Sequence, residues 1–106
     1  MSSSSCEYVA EVFRALSHPK RLAIVELLLK GPRTVTEIAE SIGVPQPVAS
    51  QHLRVLRDAG IVESERGGRQ RVYGLSTERV VELCRLAREI VSVKAEKIGS
   101  AVAGAS

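Results

Sequence analysis

Residues Thr34–Leu75 read TVTEIAESIGVPQPVASQHLRVLRDAGIVESERGGRQRVYGL. Thr34 and Glu37 form T-x-x-E, a capping box in which each side chain satisfies a backbone N–H that the first turn of a helix leaves free. The spacing predicts a short third helix with Ile38, Ala39 and Ile42 on its buried side. Gly43 is a good left-handed terminator for it. Pro45 and Pro47 are tolerated only near a helix start, so a fourth helix begins there, runs to about Ala59 and stops at Gly60. Ile61–Glu65 and Gln70–Leu75 read as two strands, and Gly67-Gly68 between them permits a tight hairpin turn.

The fourth helix has two unlike sides. Ala49, Leu53 and Leu56 fall together and are expected inside. Gln46, Pro47, Ser50, Gln51 and Arg54 fall on the other side. Gln pairs with adenine and Arg with guanine through two hydrogen bonds, each pair giving about 1–3 kcal/mol of discrimination. Ser50 suits a base or a phosphate, and Pro47 and Val48 suit a thymine methyl. Arg66, Arg69 and Arg71 crowd the hairpin with no acid between them, where glycines let the backbone approach a phosphate. Taken singly, these are ordinary solvated residues and a hairpin kept from edge pairing by charge. Taken in this order they read as bases for the helix and DNA backbone for the hairpin, since the second helix of such a pair enters the major groove. The fold expected is a winged helix-turn-helix, mainly α with a small β-hairpin: four helices, two strands, and a fifth helix.

Working outward, Val9, Val12, Phe13 and Leu16 recur at helical spacing and define a first helix, with Cys6 on the same face one turn earlier. Proline favours a helix's first position, so a second helix is expected over Pro19–Lys30, with Leu22, Val25, Leu28 and Leu29 facing the core and Gly31-Pro32 ending it. Ser76 or Thr77 caps a long last helix that runs to about Gly99 and carries Val80, Leu83, Cys84, Ala87, Ile90 and Val91. One domain over 1–106 is expected, with residues 1–5 and 100–106 as flexible tails. A domain this small buries a modest core and benefits from a partner.

Composition narrows the function. Aromatics make up 3%, namely Tyr8, Phe13 and Tyr73, too few for a platform that stacks single-stranded bases. The net charge of +3 is mildly basic and decides nothing alone. MSSSSCEY has neither the basic nor the apolar part of a secretion signal, and no apolar run reaches the roughly 20 residues a bilayer needs. Two cysteines cannot staple a scaffold, so a cytoplasmic protein is expected. A thiol enzyme is disfavoured: there is no Cys-x-x-Cys and no nucleophile–base pair at a recognisable spacing. The competing class is a winged-helix module that binds protein and not DNA, because fold does not fix function.

FRALSHPKRL at 13–22, IVELL at 24–28, TEIA at 36–39, VPQPVASQHLRVLRDAGIV at 44–62 and RGGRQRVYGL at 66–75 together resemble the ArsR/SmtB family of bacterial winged-helix repressors. The resemblance covers about residues 9–90. It implies a homodimer formed by the first and last helices, an inverted-repeat operator in double-stranded DNA, and repression released by an effector. A two-fold dimer places its reading helices about 34 Å apart, one turn of DNA.

Many such regulators sense metals, but their familiar ligand sets are missing here. Arg33-Thr34-Val35-Thr36-Glu37 holds no cysteine, and the last helix holds no histidine. His18, at a helix start, reads as a cap or packing residue, and His52 as a structural hydrogen bond. No metal or cofactor is expected. Cys6 and Cys84 remain as a possible thiol sensor for oxidants, reactive sulfur or a thiophilic metalloid; the plainer reading is a buried small side chain and an incidental cysteine.

Overall fold

The capping box forms as its residues require. Glu37 N–H donates to Thr34 Oγ1 at 3.2 Å, and Thr34 N–H donates to Glu37 Oε1 at 2.9 Å. The Thr34 backbone N–H first, and then the Thr34 side chain, hold the Glu37 carboxyl below its usual range. In the computed structural model, which describes residues 3–101, the elements are α1 (Ser3–Leu16), α2 (Pro19–Leu28), β1 (Arg33–Thr34), α3 (Val35–Ile42), α4 (Gln46–Asp58), β2 (Val62–Gly67), β3 (Gln70–Leu75) and α5 (Arg79–Ala101). Helix α1 takes in Ser3–Ser5 and α5 takes in residues 100 and 101, positions expected in tails; residues 1–2 and 102–106 lie outside the described residues.

Five helices and the hairpin stand in the expected order, with one addition. Arg33 and Thr34 pair antiparallel with Tyr73 and Val72, so the sheet has three strands in the order β1-β3-β2. The turn of the hairpin is displaced by one residue. Gly67 pairs with Gln70, leaving Gly68 and Arg69 as the two-residue loop. Gly68 has φ 69°, the sign that the first central residue of a type II′ turn requires. Gly67 is needed for a different reason: a Cβ there would meet Val72 Cγ2 at 2.6 Å. Strand β2 begins at Val62 and not Ile61, because Ile61 N–H returns to the Leu56 carbonyl at 2.9 Å and closes α4.

Ile24, Val25, Ile38, Ala49, Leu53 and Leu56 are fully buried and form the centre of the core between α2, α3 and α4. Leu22 is a correction: it is 42% exposed, and Ile24 takes the inward place. Helix α2 also stops at Leu28, since Lys30 and Gly31 donate three residues back in a tightened last turn. In α1 the stripe divides. Ala15 is buried and Val12 and Leu16 pack on the core, whereas Val9 and Phe13 stay exposed. Thr77 caps α5, accepting Arg79 N–H at 3.3 Å, while Ser76 Oγ turns back to the Gly60 carbonyl at 2.5 Å. The radius of gyration is 16.0 Å, above the ~13 Å of a compact chain this long. The longest element is α5, whose 23 residues extend about 34 Å.

Candidate nucleic-acid interface

Helix α4 is aimed by its apolar side. Ala49, Leu53 and Leu56 are all 0% exposed, which fixes the rotation of the helix about its axis. Gln46, Pro47, Ser50, Gln51 and Arg54 are thereby all exposed. Val48 is half-buried, so of the two residues expected to suit a thymine methyl only Pro47 is fully exposed. Arg57 was missed by the sequence reading. It is exposed three residues beyond Arg54 and seven beyond Ser50, the helical spacing that could have found it. Gly43, with φ 70°, makes the turn between α3 and α4, a conformation that a side chain would strain.

The hairpin sorts its charges by face. Arg66 and Arg71 are directly opposed across the ladder, on the face of Ser64 and Tyr73. Glu63 and Glu65 alternate onto the other face, so neighbouring acids do not neutralise the arginines. Like charges directly opposed destabilise a ladder. Arg71 Nη1 donates to Ser64 Oγ at 3.2 Å, and Arg69 stands in the turn. The loop end of the hairpin is tied to α3: Thr36 Oγ1 donates to Gln70 Oε1 at 2.9 Å. No sequence pattern announces a bond between residues so far apart in the chain.

Ion pairs fall elsewhere. Among the described residues the salt bridges are Arg85 with Glu82, Arg85 with Glu89 at 2.9 Å, and Arg88 with Glu26. Arg54, Arg57, Arg66, Arg69 and Arg71 have none. Those five are cations without counter-charges, on the surface where the sequence placed a ligand.

A second surface is apolar. Phe13, Leu16, Leu22, Cys84, Ala87 and Val91 line a groove of about 650 Å³ between α1, α2 and α5, with the Glu26–Arg88 pair at its wall. On α5, Leu86, Ile90 and Val93 form a further exposed strip at helical spacing. Both cysteines are free; Cys6 is exposed and is not among the groove-lining residues, whereas Cys84 is buried. Burial first, then Glu26, pushes the Cys84 thiol above its usual range. Among the described residues no three His, Cys, Asp or Glu gather to hold a metal ion, and no helix is long and apolar enough to cross a membrane.

The family model for bacterial regulatory proteins of the arsR family matches residues 18–64. The chain is 42% identical over 83 residues to the HTH-type transcriptional regulator NmtR of Mycobacterium tuberculosis, covering 78% of this chain and 69% of that protein. This chain belongs to the ArsR family. A probable mercury resistance operon repressor of Streptomyces lividans is also 42% identical, over 74% of this chain and 63% of its own length. The solution structure of Mb0332 from Mycobacterium bovis, a homodimeric winged helix-turn-helix DNA-binding domain, superposes with a TM-score of 0.83 at 32% identity, over 92% of this chain and 93% of that one. The shared fold extends through the two terminal helices, beyond the segment that the family model matches.

Proposed function

We propose that this ArsR-family chain is a dimeric, sequence-specific transcriptional repressor that reads an inverted-repeat operator in the cytoplasm and is released by an effector. The observation that carries the reading is the set of unpaired arginines on α4 and the hairpin beside an exposed polar helix face. Gln46, Pro47, Ser50, Gln51 and Arg54 read base edges. Arg66, Arg69 and Arg71 hold the phosphate backbone. The homodimer forms through α1 and α5, whose apolar strips the chain leaves uncovered.

Duplexes enriched from a random pool test this directly. Affinity is expected to fall steeply with salt. Alanine at Arg69 and Arg71 is expected to weaken all sequences and to flatten the salt slope by about 0.9 for each phosphate no longer neutralised. If no duplex binds even at low salt, the protein-interaction reading replaces this one.

Cys6 and Cys84 stand as the candidate thiol sensor. A neutral thiol reacts slowly, so exposed Cys6 meets a reagent before Cys84 does. Mass spectrometry and DNA affinity after arsenite or oxidant decide the matter: unmodified thiols with unchanged affinity reject the switch.

A further inference from the structure

The turn His18-Pro19-Lys20-Arg21 fastens three helices to α2. Lys20 Nζ donates to the Ile42 carbonyl at the end of α3 at 2.7 Å. Arg21 Nε donates to the Ala15 carbonyl near the end of α1 at 2.6 Å, and its Nη2 to the Arg14 carbonyl at 3.3 Å. His18 meets α4: its ring centroid lies 4.6 Å from that of His52, with the planes inclined at 52°. The two residues thus meet ring against ring, and not through the hydrogen bond expected of His52 from the sequence.

His18 has a second duty. Its Nδ1 accepts Lys20 N–H at 3.0 Å and caps α2. His52 sits behind the reading face, two residues before Arg54 and so roughly 200° around the helix from it. The charged and titratable groups acting on His52 all come from the first turn of α2: His18, Arg21 and Lys20. Helix α1 brings Glu11 and Arg14 to a different stretch of α4, beside Val55 and Asp58. Among the described residues no charged group of α1, α3 or β2 contributes at the ring. A proton on His52 therefore adds a cation where two already stand and no acid answers.

We propose that His18 and His52 are positioning residues for the DNA-reading helix, and that they hold it in register only while the His52 ring is neutral. The inference rests on the DNA-reading function proposed above. Burial, then His18, Arg21 and Lys20, keep His52 below the usual imidazole range. The folded chain thus binds fewer protons at that ring than the unfolded chain. The stability contributed by a neutral, partly buried His52 is complete above the ordinary imidazole value of about 6.5 and disappears as pH falls through the lower folded value. Added positive charge also strengthens non-specific attraction to phosphate. Selectivity, and not total affinity, is therefore the quantity that acid erodes.

The experiment compares a duplex enriched from a random pool by the wild-type protein near pH 8 with a scrambled duplex of the same composition. As pH falls from about 8, the ratio of the two affinities is expected to have dropped about two-fold in the wild type at the His52 midpoint, which lies below about 6.5, to drop further below it, and to stay flat in His52→Gln. A ratio that is flat in the wild type, or that falls equally in His52→Gln, overturns the proposal. Failure to enrich any duplex near pH 8 instead removes the DNA-reading function, and this inference with it. Imidazole proton resonances give a reading without DNA. In His18→Asn, which keeps a capping side chain but no ring, the His52 midpoint is expected to move up; an unmoved midpoint means that the rings do not act on each other.

Discussion

Helices α4 and α5 are both amphipathic, and they are finished in opposite ways. Helix α4 buries Ala49, Leu53 and Leu56 completely within its own chain and leaves its arginines without acids. Helix α5 pairs Arg85 and Arg88 with glutamates and leaves Leu86, Ile90, Val91 and Val93 in the open. One helix lacks an anionic partner and the other lacks an apolar one. A single chain therefore carries one helix completed within itself and one that is not, and the two deficits call for different molecules.

The sharpest way to break this contrast is at α5. Ile90 is 71% exposed in the single chain. Ile90→Glu is expected to weaken the dimer by about 3–6 kcal/mol, since two copies each lose about 1.5–3 kcal/mol of burial at a self-complementary patch. Sedimentation over a concentration series measures the shift; an unchanged dimer means that the strip faces water. Next in size is Leu53→Ala in α4, expected to cost about 2–5 kcal/mol of stability in urea titration. Unchanged stability would mean that the helix is not aimed by its buried side. Smallest is Arg54→Ala, which should lose about 1–3 kcal/mol of base discrimination at one position and shift stability by less than about 0.5 kcal/mol. A uniform loss across all sequences would instead place Arg54 on a phosphate.

Much of α4 was legible because its signals are local. Prolines set its start, Gly60 its end, and helical spacing separates Leu53 from Arg54. The capping box at Thr34 was legible for the same reason. What escaped depends on neighbours far along the chain. Strand β1 is two residues long, too short for any period, and exists only because β3 offers an edge. The hairpin turn was set one residue early because adjacent glycines look alike in sequence, whereas Val72 forbids a side chain at only one of them. Periodicity found the apolar stripes of α1 and α2 without saying what covers them, so Phe13 and Leu22 were grouped with residues that the core does enclose. Helical spacing offered Arg57, which was overlooked. The fastenings made by Lys20 and Arg21 had no sequence signal.

The openness of the α4 outer face bears on how such a protein diverges. The side chains of Ser50, Gln51 and Arg54 are exposed and make no hydrogen bond among the described residues, so exchanging them leaves folding almost untouched. If these residues read bases as proposed, a duplicated gene can acquire a new binding site through a few codon changes while keeping its scaffold. In the proposed dimer the α5 strip has no such freedom. A self-complementary patch meets its own copy, so every change there is made twice at once, and two sister proteins that have drifted apart at that strip cease to mix.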